Sequence, residues 1–549
     1  MSKTWKKSLA LLLALVMAFS AFGSAIPVYA ANDAQGGSLP SNFIVGKTLS
    51  SMLSKAAEIL IGGLLFIFPN LDWDKVDEYV PNTEFKGSAD FVDEPTAQTW
   101  KAGYASRSII PNDISKGYPM AGFLNGAVAK SVYEGDGQFI RAVALDAGSG
   151  IVIFASIDGF GMTNATVQAL RANLAEFAAQ NNIVSINFTL SHTHYGIDTH
   201  GLGQDVKTLI TSNLKNLVTR KSEFKNPVDE TIYSLLLSQS KAAVTEAVES
   251  MEEGTLSYGS ADISELIKDK QNPIAFDPNV NQIKFVPADA ESNEIWLVNM
   301  GVHPTSLSRE EDKASADYPG EIARYAKEVA GADVAFFQGA QAALTKDSSS
   351  LNLPEGSTGY DELTVYGREI VNRLLAIDNY TEIEPIMNIV HTEVLVPVTN
   401  PLLWVVCKFQ MANNRCVMQS SRIQDALAVT EIGYAELGSS LAVLLLPGEF
   451  SAEIVWGGTK PASIAWNGTD WQYEPIANFT GGRKTIAFGL TNDQVGYVVP
   501  DNDYANTFAD VFDKYYGENN KHYEEFLSLG KATASTLTEG YIDLLGSVR

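Results

Sequence analysis

The sequence predicts an α/β fold of the mixed, α+β kind, in which β-sheets are flanked by helices. Three observations carry that reading. Ile151–Ile157 and Ile183–Leu190 are strand-like runs rich in β-branched residues, and between them Val167, Leu170, Leu174 and Phe177 share one face at helical spacing. A strand, a helix and a strand in succession make a crossover unit and hence a partly parallel sheet. Phe139–Asp146 precedes the first of these strands across Ala147-Gly-Ser-Gly150, which predicts a hairpin and so antiparallel pairing as well.

Further elements follow in order. A helix is expected over residues 229–250 after Pro227, a strand over Ile295–Met300, a helix over 320–329 and a strand over 334–337. Residues 441–446 and 486–490 read as apolar strands, with a helix starting near Ser451 and a closing helix over 521–545. Cys407 and Cys416 are the only cysteines, and Asn413-Asn414 between them suggests a hairpin turn. A disulfide across it and two reduced, packed thiols both fit the sequence.

The chain begins with a targeting pattern. Lys3, Lys6 and Lys7 precede an apolar run over 9–26, and Val28-Tyr29-Ala30 offers small-residue cleavage, so residues 1–30 are expected to be a signal peptide and the protein to be secreted. Residues 31–99 read as an N-terminal extension: a polar start, a short apolar helix within 56–69 and an acidic linker or cover over 72–95. The apolar stretch is too short to span a bilayer and is expected to be a buried helix, with transient contact to a membrane surface left open. Residues 100–549 are expected to form the main domain. A net charge of −26 over 549 residues repels phosphate backbones and argues against nucleic acid as a partner.

The chemistry-bearing residues collect at strand ends. Of six histidines, His192, His194 and His200 cluster after Leu190, and His303 follows Met300 in the same way. Glu449 and Tyr497 end two further strand regions. Ligands gather at the carboxyl ends of strands in partly parallel sheets. His192, His303, Glu449 and Tyr497 sit at four strand ends and offer imidazole, imidazole, carboxylate and phenol, the donor types of a zinc site that still admits substrate. His192 and His194, on one side of an extended chain, can share a metal, or one can bind it while the other moves protons. Asp158 and Asp317 are candidates to orient the histidines or bind polar parts of a substrate, and helix capping or loop structuring suits them as well. No Gly-x-Ser-x-Gly elbow, His-Glu-x-x-His helix or phosphate-binding loop is present.

Ser191-His-Thr-His194, Val302-His-Pro-Thr-Ser306, Leu446-Pro-Gly-Glu449 and Gly489-Leu-Thr-Asn-Asp-Gln-Val-Gly-Tyr497, in that order, resemble the motifs of the neutral/alkaline, non-lysosomal ceramidases. Trp100-Lys-Ala-Gly-Tyr-Ala-Ser-Arg-Ser-Ile-Ile-Pro111 and the Ile157-Asp158 strand end are similar to that family's opening segment. The resemblance runs from about Trp100 to the C-terminus, without the C-terminal immunoglobulin-like domain of larger members. It implies a ceramidase-like catalytic domain and a zinc amidohydrolase that cleaves the N-acyl bond of ceramide or a related N-acyl lipid. It also implies His192, His303, Glu449 and Tyr497 as the zinc ligands and His194 as the proton-transfer group, and the Tyr497 phenol can also hold the oxyanion. Two segments depart from the family. Tyr195-Gly-Ile-Asp-Thr-His200 stands where Ser-Gly-Pro-Gly is usual and is expected to shape the mouth of the site, and Ala340-Gln-Ala342 replaces a Gly-Asp. Those departures leave open an amidohydrolase of the same fold acting on a non-lipid amide, and a non-catalytic binding protein that kept the metal site. His200 is expected at the surface, and His391 and His522 are expected to be structural.

Overall fold

Apolar side chains on two sheets meet face to face, and helices cover both outer faces. The computed structural model describes residues 43–66, 73–203, 226–409, 411–516 and 521–548; the expected signal peptide and the polar stretch after it lie outside these. In chain order the main elements are α1 (Phe43–Leu65), β1 (Trp100–Ser108), β2 (Phe139–Asp146), β3 (Ile151–Ile157), α2 (Asn164–Gln180), β4 (Ile183–Leu190), α3 (Glu230–Glu249), β5 (Glu252–Asp262) and β6 (Asn279–Pro287). There follow β7 (Ile295–Met300), α4 (Asp317–Ala330), β8 (Asp333–Gln338), α5 (Gly359–Leu375), β9 (Met387–Pro397), α6 (Pro401–Phe409), β10 (Ala426–Leu437), β11 (Leu441–Leu445), β12 (Glu449–Phe450), β13 (Lys484–Phe488), β14 (Tyr497–Val498) and α7 (Thr533–Ser547).

The first sheet has nine strands in the order β8, β7, β6, β5, β1, β2, β3, β4, with Thr381–Ile383 added beside β5. Its parallel pairs are β3 with β4 and β7 with β8, joined through α2 and α4, and the other pairs are antiparallel. The second sheet has five strands, with β9, β10, β11 and β13 in line and Cys416–Met418 beside β10; β11 and β13 run parallel. Between the sheets Phe488 stacks on Phe337 at 4.3 Å and meets Phe154 edge-on at 5.8 Å. Each buried ring of this size contributes about 1.5–3 kcal/mol through area removed from water.

Outside the first sheet, Val167, Leu170 and Leu174 of α2 and Ile232, Leu236 and Val244 of α3 pack on Ile186 and Phe188. Asp229 caps α3 by accepting from Thr231 and Ile232 N–H. Tyr318 and Ile322 of α4 and Tyr366 and Ile370 of α5 cover Val298, Val334 and Phe336. Leu537 and Tyr541 of α7 close the outer face of the second sheet over Ile432 and Tyr434. This αββα sandwich agrees with the mixed-sheet expectation.

Three elements differ from the sequence reading. The closing helix starts at Thr533, because Gly530 passes so close to Thr399 that a Cβ there would lie 1.8 Å from Thr399 Oγ1; residues 524–527 form only a 3₁₀ turn. Cys407 sits on α6 and Cys416 on a strand, so no hairpin joins them; the Asn414 amide donates to both sulfurs at 3.2 Å, which stand 3.7 Å apart as free thiols. The apolar N-terminal helix spans 23 residues and is only partly covered. Phe43 packs on Trp466 at 5.2 Å, and Ile61 and Leu65 enter the main core, while Ile44, Met52, Ile59 and Phe66 face solvent. By length and composition this helix could cross a membrane. Of the acidic stretch before β1, Lys86 accepts a hydrogen bond at its carbonyl from His391 N–H and extends its side chain to Glu431, so that cover is fastened to the second sheet.

Candidate metal centre

The strands that run parallel end together. After β4 the backbone turns sharply at His192, which adopts φ 65°, a left-handed conformation that a side chain other than Asn or Asp seldom takes. Leu490 and Asn492, in the loop after β13, share that conformation at φ 52° and 63°. The two loops are sewn together: Leu190 N–H donates to Leu490 carbonyl, Asn492 Oδ1 accepts from Phe188 N–H, and the Thr189 and Thr491 hydroxyls are 2.7 Å apart. Gly489 permits this, since a Cβ there would lie 2.3 Å from the Gly339 carbonyl oxygen at the end of β8.

Each ligand candidate is aimed by its surroundings. His192 Nδ1 lies 2.7 Å from the Phe160 carbonyl, and His303 Nδ1 lies 2.8 Å from the Leu344 carbonyl. A carbonyl only accepts, so each Nδ1 carries a proton and each Nε2 is the nitrogen turned to the centre. Both Nε2 atoms face Glu449 Oε2, at 3.2 and 3.1 Å. The other carboxylate oxygen of Glu449 accepts from Gln494 Nε2 at 2.9 Å. Tyr497 stands directly opposite Glu449 in the parallel β12/β14 pair. His194 Nε2 is 3.3 Å from His192 Nε2, and His192, His194 and His303 offer nitrogens within 4.8 Å of one another.

Two imidazole nitrogens converge on one carboxylate oxygen at 3.2 and 3.1 Å, with three of these residues buried. Nitrogen and oxygen donors so gathered suit a divalent metal cation. Burial lowers the pKa of His303 and takes His194 well below the ordinary imidazole value, so both favour the neutral, metal-competent or base form. Burial opposes the charge on Glu449, but the imidazoles beside it outweigh that and hold its pKa well below the usual range. Burial, with Glu449 adding to it, raises the Tyr497 phenol well above its ordinary value, so it acts as a neutral hydroxyl donor unless a cation takes its proton's place.

The accessibility of the five residues is graded. His192, His303 and Glu449 are buried, whereas His194 and Tyr497 are half-buried, so a substrate meets these two first. Phe160 stacks on His192 at 4.8 Å, and Phe123 lies 4.9 Å from His194. His192, His194, His303 and Glu449 thus lie together, and Tyr497 pairs with Glu449 across β12 and β14.

Asp158 plays another part: its Oδ2 accepts from Arg141 Nη1 at 2.5 Å and from Phe139 N–H, and backbone carbonyls, not carboxylates, orient the histidines. Asp317 holds the loop after His303, accepting from Ser306 Oγ at 2.6 Å and Ser306 N–H at 2.8 Å. The segment 195–200 is folded inward. Its side chains are buried, and Asp198 accepts from the His200, Gly201 and Gly203 N–H groups. His200 is therefore not at the surface but packed inside against Gly161 and Gln494. His391 and His522 bind Ser185 and Glu525 in the interior. Sequence reasoning missed the carbonyls of Phe160 and Leu344, which no residue type announces, and it quoted Gln494 within a motif without giving it a task.

The architecture belongs to a known structural class. A crystal structure of neutral ceramidase from Pseudomonas aeruginosa superposes with a TM-score of 0.55 at 16% identity, covering 82% of this chain and 74% of that one. A structure described as ceramidase complexed with C2 matches at TM-score 0.57 and 14% identity, covering 82% and 75%. The fold is ceramidase-like. Neither a family model nor a curated protein sequence matches the chain.

Proposed function

We propose that this protein is a secreted, zinc-dependent amidohydrolase that cleaves the N-acyl bond of ceramide or a related N-acyl lipid. The observation that carries the reading is the meeting of His192 Nε2, His303 Nε2 and Glu449 Oε2 within a ceramidase-like fold. His192, His303, Glu449 and Tyr497 would hold the zinc. When bound there, zinc supplies the Lewis acidity that an amide, a poor electrophile, requires, and eases ionisation of water. His194 takes the proton of the attacking water and returns it to the leaving amine, a task suited to a half-buried imidazole kept neutral by its surroundings. The Tyr497 hydroxyl donates to the carbonyl oxygen as negative charge develops on it. The apolar run and cleavage pattern at the N-terminus support secretion, and the exposed apolar residues of α1 support contact with a lipid surface, where such substrates reside.

Metal analysis joined to hydrolysis tests the reading. The purified chain is expected to carry about one zinc, as a single four-donor site requires. His192→Ala is expected to lose both the zinc and the hydrolysis of N-acyl lipids. Zinc-free wild type, or a variant that hydrolyses as fast, would defeat the proposal.

A further inference from the structure

The charge around the centre departs from that of the chain, which carries −26 overall. Lys270 follows the short strand Ile267–Asp269, and its N–H donates to the Ala343 carbonyl, one residue before the Leu344 carbonyl that orients His303. Its ammonium lies 5.6 Å from the centre of the Tyr523 ring, and that ring packs on Tyr497 at 5.9 Å. Arg309 reaches the centre through a different ring: its guanidinium lies 5.1 Å from Phe123, which packs on His194. Two cations thus stand one aromatic ring away from the two half-buried residues that a substrate meets first.

Lys270 is exposed and forms no ion pair within 4.0 Å among the described residues. The acid on its side is Glu524, which accepts from Gln271 Nε2; burial, with Glu525 adding to it, pushes its pKa up to about 8, so it is largely uncharged at neutral pH. Close packing lowers the pKa of Lys270, with Lys521 and Arg309 adding to that against the opposite pull of Glu524 and Glu449. A positive group held beside a reaction centre without a salt bridge is a receptor for negative charge. Ceramide, which is neutral, gives it nothing to bind.

We propose that Lys270, seconded by Arg309, selects amide substrates that carry an anionic group close to the scissile bond, such as a carboxylate on the amine released from an N-acyl amino acid. This rests on the hydrolase reading above and narrows its substrate class. A matched pair tests it on the zinc-loaded full chain: N-palmitoylglycine against N-palmitoylethanolamine, which share acyl chain and amide and differ by carboxylate against hydroxymethyl. The expected kcat/KM ratio favours the glycine conjugate by about tenfold or more, the order of a charge-assisted contact. Lys270→Met is expected to bring the ratio towards one and Lys270→Arg to retain it, with thermal melts checking that both variants fold. A second pair, N-glutaryl against N-valeryl dodecylamine, places the carboxylate on the acyl side; a preference in either pair supports the proposal and tells which side the cation serves. Ratios near one in both pairs, or a preference that survives in Lys270→Met, would overturn the role of Lys270 while leaving the hydrolase standing. No turnover of any of the four amides while ceramide is hydrolysed would overturn this inference alone, and no turnover of ceramide either would overturn the hydrolase reading with it.

Discussion

His192 shows how one residue is committed to the centre. Its φ of 65° is unfavourable for a β-substituted residue, yet that turn brings Nδ1 to the Phe160 carbonyl and Nε2 to Glu449. His194, two residues on, is built differently: Nδ1 has no partner and the ring is half-buried, which leaves it free to exchange protons. The two histidines should therefore separate on mutation. His194→Ala is expected to lower kcat by about 10²–10⁴-fold, the usual worth of a general base, with zinc content preserved. Loss of zinc from that variant would make His194 a ligand instead. Asp493, near Glu449 in the same loop system, is expected to mark a pH effect. Burial raises its pKa to about 7 while two backbone N–H groups hold it in place. The folded chain keeps a proton there that the unfolded chain releases near pH 4, so stability falls as pH rises from about 4 to about 7 and then levels. Asp493→Asn should flatten that slope in urea titrations at pH 5 and pH 8.

At the scale of elements, the strand ends depend on close backbone approach. Gly489→Ala places a methyl 2.3 Å from the Gly339 carbonyl oxygen and is expected to cost about 1–3 kcal/mol in urea melts and to weaken zinc retention. Most sheet elements near the centre were legible in the sequence because β-branched runs such as Ile183–Leu190 end in polar residues, and the crossover through α2 gives their direction. The registers that bring Glu449 opposite Tyr497 were not legible, since pairing between distant strands leaves no local mark. The segment 195–200 was misplaced for a related reason: polar Asp198 and His200 look solvent-facing, but Asp198 spends its oxygens on three backbone N–H groups and can be buried. In α1 the apolar stretch was seen but not its length. A stripe from Ile44 to Phe66 remains exposed, and Ile59→Ser with Phe66→Ser is expected to reduce co-sedimentation with lipid vesicles several-fold while soluble amides are still hydrolysed. Unchanged sedimentation would remove the membrane role.

For the whole molecule, the sandwich places the centre where both sheets end, so cation binding and global folding are coupled. His192 comes from the first sheet through β4, and Glu449 and Tyr497 follow strands of the second. Zinc at about a hundred times its Kd should stabilise the fold by about 2.7 kcal/mol, provided the unfolded chain does not bind it, and raise the melting temperature in proportion. A chelator should reverse this in differential scanning calorimetry; equal melting temperatures with and without zinc would mean the ligands do not meet around it.

The order of these ligands along the chain bears on biosynthesis. A ribosome delivers two imidazoles first, the carboxylate much later and the phenol last. A partly made polypeptide can trap a cation with nitrogen alone, in a geometry unlike the finished one, whereas a chain that reaches its destination before folding meets the ion with the whole set in hand. Were the chain exported unfolded, loading after transport would let the coordination form at the first attempt.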